Sequence, residues 1–240
     1  MTKLPAIAAS TLTAAAASAW TYAALSRGSQ IFGKTIIAGS DPAQIALTFD
    51  DGPNDLATER LLEVLALHNV RATFFMIGNF VRQRSTIARA VAAAGHLVGN
   101  HTMTHPWLAW QSAARIRAEL ADTNALIQDT IGAPIHLFRP PHGARRPYVL
   151  RLARDLGLTT VQWNVIADDW KPVPAEVILE RLQRGIGRNR RNGRSSNLLL
   201  HDGGHLSLGL PRIPTVEATA RLLDLCRNTT TKFVTPDAWI

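Results

Sequence analysis

At 240 residues the chain is long enough to bury a full core, as one α/β domain or two small ones. Hydrophobic residues at 46% and charged residues at 18% exclude a disordered chain. The 26 Lys and Arg against 18 Asp and Glu leave a net charge of +8, which favours an anionic neighbourhood (membrane surface, anionic polymer or nucleic acid) without choosing among them. Cys226 is the only cysteine, so no intrachain disulfide forms; it falls in the helical pattern of Val216, Leu222 and Leu223 and reads as a small buried hydrophobe.

The N-terminus differs from the rest. No charge occurs from Pro5 to Leu25, with Lys3 before the stretch and Arg27 after it. Such a segment reads as a hydrophobic helix: an uncleaved signal-anchor, a signal peptide cut at Ala17-Ser18-Ala19, or a helix docked on the domain. Either of the first two places the domain outside the cytoplasm, membrane-anchored in the cell envelope or secreted into it. The expected division is residues 1–25 as signal or anchor, 26–43 as a Gly-containing linker, and 44–240 as the folded domain.

Past residue 44 the pattern alternates between two periods. Strands are expected at Gln44–Phe49, Ala72–Ile77, His96–Gly99, His136–Arg139, Thr159–Val165, Asn197–Leu200 and Lys232–Val234. Helices are expected at Leu56–His68, Ile87–Ala94, Ser112–Thr130, Pro147–Leu156, Val177–Leu182 and Thr215–Arg227. Strands alternating with helices indicate an α/β fold with a parallel sheet, and about seven such units favour a distorted, TIM-barrel-like (β/α) barrel over an open sheet.

The stretch Thr48-Phe49-Asp50-Asp51-Gly52-Pro53 ends the first of these strands. Two adjacent carboxylates at a strand tip repel each other unless cations separate them or one holds a proton. His101 and His105 follow the third strand, and a spacing of four suits two ligands on one face of a helical turn. One Asp and two His make a three-ligand metal site with open positions, as a hydrolytic metal requires. Arg139 follows a strand too and suits a fork onto the remaining acid. Asp168-Asp169-Trp170 ends the next strand, and His201 emerges from Leu198-Leu199-Leu200 with an apolar approach, where a carboxylate on its far nitrogen suits it to act as an acid.

With these residues in place the chain resembles the polysaccharide deacetylases with a NodB-homology domain, carbohydrate esterase family 4, over roughly residues 44–235. Five motifs occur in the family's order: Thr-Phe-Asp-Asp-Gly-Pro at 48–53, His-Thr-x-x-His at 101–105, Arg-Pro-Pro-x-Gly at 139–143, Asp169-Trp170, and Leu-x-x-His-Asp at 198–202. The resemblance implies Asp50 as base, Asp51, His101 and His105 as metal ligands, and Arg139 as tether of the base. It further implies that Asp169 orients His201 as the acid and that Trp170 walls the site. Leu198 or Leu200 would form part of the acetyl pocket, with Pro141, His142 and Gly143 contacting substrate through a loop whose backbone N–H serves the oxyanion. Two positions depart from the pattern: Ile166 stands where the fourth motif often has Asp, and His142 where an aromatic residue is common.

The implied reaction is hydrolysis of an acetyl group on a carbohydrate, with Zn²⁺ the expected ion for an Asp-His-His set and Co²⁺ or Ni²⁺ as alternatives. Peptidoglycan, chitin-type oligomers, acetylated xylan and an acylated lipid-linked sugar all fit this chemistry. The basic run Arg181, Arg184, Arg188, Arg190, Arg191 and Arg194 reads as a solvated face or as a contact for anionic lipid or wall polymer. His205, in a Gly-rich loop after His201, is a further candidate for substrate contact. Two other classes were weighed. A catalytically silent carbohydrate-binding module is disfavoured by the full residue set. Nucleic-acid binding rests on charge alone and is not expected.

Overall fold

The computed structural model describes residues 16–240. One curled sheet of eight parallel strands organises it, in the order β5-β4-β3-β2-β1-β7-β6, with β8 beside the first residues of β1. The strands are β1 (Gln44–Gly52), β2 (Thr73–Met76), β3 (Leu97–Asn100), β4 (Leu137–Phe138), β5 (Thr159–Thr160), β6 (Val165–Ile166), β7 (Ser196–His201) and β8 (Lys232–Val234). A helix at residues 16–25, α1, precedes them. The crossovers carry α2 (Ala57–Leu67), α3 (Gly78–Gln83), α4 (Ser85–Ala93), α5 (Ala113–Ile131), α6 (Pro147–Asp155), α7 (Ala175–Arg191) and α8 (Ile213–Cys226).

The period of two along each strand decides which residues reach the site. Ile45, Leu47 and Phe49 of β1, Phe74 and Met76 of β2, and Leu198 and Leu200 of β7 face outward into the main core, against Leu61, Leu120, Leu182 and Leu222 of the helices. The intervening positions face the hollow of the sheet. There Phe75, Leu137, Ile36 and Val161 form a small second cluster, beneath Thr48, Asp50, Arg139 and His201. The helices end where local chemistry requires it. Ser112 Oγ accepts the Arg115 N–H at 3.2 Å to cap α5, and Gly132 closes it in the left-handed region.

Several elements differ from expectation. The apolar run Thr159–Val165 is not one strand, because Val161 leaves the ladder to pair with Ile36 before β6 begins. Helix α7 extends to Arg191, well beyond Leu182, because its polar, arginine-rich second half still buries Gly185, Ile186 and Asn189. A short helix, α3, stands before α4 where none was expected. Arg181 is drawn onto the carbonyl of Ala167 at 2.9 Å and toward Asp168, whereas Arg188, Arg191 and Arg194 are exposed and have no ion-pair partner among the described residues.

The N-terminal segment is packed on the domain. Ala23 and Ala24 are buried, Trp20 lies against Phe32 and Trp110, and residues 26–43, expected as a linker, include the Ile36 pairing. Among the described residues no helix is long and apolar enough to cross a membrane. The first eleven residues of the uncharged Pro5–Leu25 stretch and its Lys3 flank lie outside the described residues.

Gly52 has no room for a side chain: a Cβ there would stand 2.1 Å from Oδ2 of Asp202, which is itself fully buried. Gly52→Ala is expected to lower stability by about 1–3 kcal/mol through overpacking, read as a lower urea midpoint at unchanged m-value.

Candidate active site

Adjacent residues on a regular strand point to opposite faces, yet Asp50 and Asp51 line the same cavity. The backbone explains this. β1 pairs Asp50 with Phe75 and then Gly52 with Met76, so Asp51 is skipped by the ladder, and its φ is 71°. A bulge at the strand tip re-aims its side chain. Both carboxylates are buried, at 3% and 4% exposure.

His101 and His105 do not share a helical turn, as their spacing suggested. They sit on an irregular loop in which Thr102 (φ 69°) and His105 (φ 59°) are left-handed. Side chains hold this shape. Asn100 Oδ1 accepts the Thr102 N–H at 2.8 Å, Thr102 Oγ1 accepts the His105 N–H at 3.0 Å, and buried Glu119 accepts from the N–H and hydroxyl of Thr104.

The outcome is a compact donor set. Ligand atoms of Asp51, His101 and His105 lie within 4.8 Å of one another, with Asp51 Oδ1 at 3.5 Å from His101 Nε2 and 3.2 Å from His105 Nε2. His101 Nδ1 lies 2.7 Å from the carbonyl of Arg139. A carbonyl only accepts, so Nδ1 donates to it and Nε2 is turned toward the cluster. Burial, reinforced by His101, pushes the His105 imidazole down to about 2, which keeps it neutral as a ligand must be. Burial opposes ionisation of Asp51, yet the neighbouring imidazoles of His101 and His205 hold its carboxyl well below the usual range. Oδ1 of Asp51 is buried without a hydrogen-bond partner.

Two buttressed pairs flank this set. Arg139, fully buried, donates from Nη1 to Asp50 Oδ1 and to Thr48 Oγ1, both at 2.7 Å. The expected two-pronged fork does not form, because Nη2 is used on the carbonyl of Gln162 at 3.2 Å. Asp50 Oδ2 is thereby left toward the His101 side, at 3.7 Å from Nε2. On the other flank Asp169 Oδ1 lies 2.8 Å from His201 Nδ1, while its Oδ2 accepts the His201 N–H at 2.7 Å and the Thr215 hydroxyl at 2.9 Å. Burial alone would depress His201, but the Asp169 carboxylate outweighs it and the imidazole is raised to about 9.

The cavity measures about 580 Å³. Asp50, Asp51, His101, His105, His142, Trp170 and His201 all line it, and Trp170 meets His201 edge-on at 5.4 Å. Pro141 and Gly143 do not line it; they are buried behind His142, which is left-handed at φ 58° and stacks on Trp107 at 3.9 Å. Leu198 and Leu200 do not line it either. They belong to the outward core, and Leu199 lines the cavity in their place. Strand alternation carried that signal, since Leu199 and His201 are two apart and share a face. Trp163, Ile166, Leu206, Leu210 and Arg212 also reach the cavity. His205 joins them, stacked on His105 at 4.4 Å, with its N–H donating to Asp51 Oδ2 at 3.2 Å.

The polysaccharide deacetylase family model matches residues 38–161. A chitooligosaccharide deacetylase of Rhizobium leguminosarum bv. trifolii is 40% identical over 168 residues, covering 69% of this chain and 74% of that one. A peptidoglycan-N-acetylglucosamine deacetylase of Bacillus cereus is 34% identical over 193 residues, covering 80% and 85%. The structure of a family 4 acetyl xylan esterase from Clostridium thermocellum, in complex with a cobalt ion, superimposes with a TM-score of 0.70 at 32% identity, covering 82% of this chain and 89% of that one. The chain belongs to the polysaccharide deacetylase family, and with it to the hydrolases.

Proposed function

We propose that this protein is a metal-dependent deacetylase of glycans containing N-acetylglucosamine, acting in the cell envelope. The observation that carries the reading is the pairing of Asp50 with Arg139 and of His201 with Asp169, on either side of Asp51, His101 and His105, within one cavity. The substrate class follows from the chitooligosaccharide and peptidoglycan relatives. The envelope location is supported by the peptidoglycan relative together with the uncharged Pro5–Leu25 stretch, read as an export signal or anchor.

A divalent ion fits the donor set. Asp51 Oδ1 is a buried acceptor with no hydrogen bond, and two imidazole nitrogens face it. One carboxylate and two imidazoles suit zinc best, with cobalt next. When bound, the ion polarises the acetyl carbonyl and acidifies water. The protein's own groups do the rest. Asp50, oriented through Arg139, takes a proton from the attacking water. As the water oxygen bonds to the carbonyl carbon, the backbone N–H of His142 donates to the developing oxyanion. His201 Nε2–H then delivers a proton to the sugar nitrogen while the C–N bond breaks, leaving acetate and a free amine. Leu199 and Trp170 flank the acetyl methyl.

The roles separate by experiment. Asp50→Asn and His201→Ala are each expected to lower kcat by about 10²–10⁴-fold, with metal still bound stoichiometrically by elemental analysis. His101→Ala should lose the metal itself. Near-wild-type acetate release from an N-acetylated chitooligosaccharide by the Asp50 variant defeats the assignment.

The pH dependence has a definite sign. His201 acts in its protonated form, and Asp169 raises it to about 9. Activity is therefore expected to persist through neutral pH and fall as pH rises through about 9. Asp169→Asn removes the raising influence and leaves burial, so the alkaline limb of kcat/KM should move toward or below the ordinary imidazole value of about 6.5. An unmoved limb assigns the titration to another group.

Leu199 and Leu200 distinguish cavity from core. Leu199→Ala should change kcat/KM while costing little stability, whereas Leu200→Ala should cost about 2–5 kcal/mol in unfolding free energy. Paired kinetic and urea measurements check both.

A further inference from the structure

Among the described residues two arginines are fully buried, Arg139 and Arg145, at 0% and 1% exposure. Arg139 faces a carboxylate; Arg145 faces none. Its guanidinium is divided between two parts of the chain. Nη1 donates to the carbonyl of Gly143 at 2.9 Å, and Nη2 donates to the carbonyls of Ser26 at 2.8 Å and Ser29 at 2.6 Å. The Arg145 N–H donates to the carbonyl of Ala24 at 2.9 Å. Burial lowers the guanidinium pKa, and a buried cation without a counter-ion persists only where hydrogen bonds replace its water.

The loop held in this way turns through two consecutive left-handed residues, His142 at φ 58° and Gly143 at φ 69°. A histidine in that region is sparsely populated and remains there only when its surroundings over-determine it. Gln162 supplies the second restraint. Its side-chain amide donates to the Gly143 carbonyl at 3.3 Å, its N–H donates to the Ile36 carbonyl at 2.7 Å, and its own carbonyl accepts from Arg139. Each contact on the Gly143 carbonyl therefore leads back to the segment preceding β1. Apolar packing closes the arrangement: Ala24, Ala109 and Ala144 form one small cluster, with Trp20 and Phe32 against it.

We propose that residues 20–36 complete the active site and that Arg145 is a positioning residue, tying this segment to the Gly143 carbonyl so that His142 presents its N–H to the cavity. The inference rests on the reading of His142 as oxyanion donor given above. Arginine is required because one planar fork reaches two carbonyl groups of the segment and one of the loop; a lysine ammonium is a single point and cannot span both. Cleavage after Ala19, the sequence's candidate processing site, would leave Trp20, Ala24 and Phe32 in place.

The test compares the metal-loaded full chain with Arg145→Ala, Arg145→Lys and Trp20→Ala on a soluble N-acetylated chitooligosaccharide. Arg145→Ala is expected to lower kcat about 10- to 100-fold, as a misplaced loop does, with KM little changed, stoichiometric metal and an unmoved alkaline limb. Arg145→Lys should fold and recover only part of kcat. Trp20→Ala, which touches nothing in the cavity, should show a smaller loss of the same kind, and the Trp20→Ala/Arg145→Ala double variant should be no worse than Arg145→Ala alone. A kcat within about twofold of wild type for both Arg145 variants overturns the inference, as does a loss confined to KM or to metal content. If Arg145→Ala fails to fold, Arg145→Lys and Trp20→Ala decide by the same criteria. Asp50→Asn run in parallel tells the two readings apart: an active Asp50 variant brings down the mechanism and this inference together, whereas an inactive one beside fully active Arg145 variants removes this inference alone.

Discussion

The site depends on one backbone event, the bulge that takes Asp51 out of the β1 ladder. Without it, Asp51 would point into the outward core and a single carboxylate would remain at the strand tip. With it, two buried acids share one cavity. Two unit charges about 4 Å apart repel by roughly 4 kcal/mol at an effective dielectric of 20. That exceeds what any single surface contact supplies, so the rest of the site is arranged to divide the acids. Arg139 rises through the hollow of the sheet to one oxygen of Asp50, while the imidazoles of His101 and His105 surround Asp51. The carboxylates thus have different neighbours although they are neighbours in sequence, and a division of labour follows from that.

Left-handed backbone at non-glycine residues is concentrated here. Of seven such residues among those described, Asp51, Thr102, His105 and His142 belong to the site and its loops, and Asp168 precedes Asp169. Thr102 is the most telling, since a β-branched residue in that region is costly. Its N–H is fixed by Asn100, and Asn100 in turn donates to the Leu120 carbonyl in α5. A helix on the outside of the sheet therefore determines the shape of a ligand loop on its rim. The residues that would hold an ion and orient a sugar are set before either arrives, the condition under which electrostatic stabilisation needs little reorganisation.

How legible this was in the sequence follows the range of the interactions. β1, β2 and β7 are continuous apolar runs, and their positions needed only local pattern. The motif residues could be placed at strand tips for the same reason. What failed was whatever depends on distant partners. A His-x-x-x-His spacing does not distinguish a helical turn from a loop, because the side chains deciding it, Asn100 and Glu119, act through tertiary bonds. The break in Thr159–Val165 depends on Ile36, more than a hundred residues upstream. The segment at 26–43 reads as a linker by composition, and its docking rests on distant partners, among them Arg145, Gln162 and Val161. Leu199 is a different case. Period-two alternation from His201 already pointed to it, and motif resemblance drew attention to its two neighbours instead.

The same alternation explains why Asp50 and His201, the proposed base and acid, share one face. β1 and β7 are parallel and in register, with Asp50 opposite His201. Register partners on adjacent parallel strands point to the same face, about 4.8 Å apart at the backbone. Both side chains line the one cavity. Each partner is buttressed from a different strand end, Arg139 after β4 and Asp169 after β6, so the two do not compete for one counter-ion. A slip of one residue between β1 and β7 would turn Leu200 or Asp202 toward the substrate and bury His201 in the outward core. Leu198 and Leu200 oppose that slip, because both would leave the outward core at once. The apolar core of the fold is thus also what keeps His201 opposite Asp50.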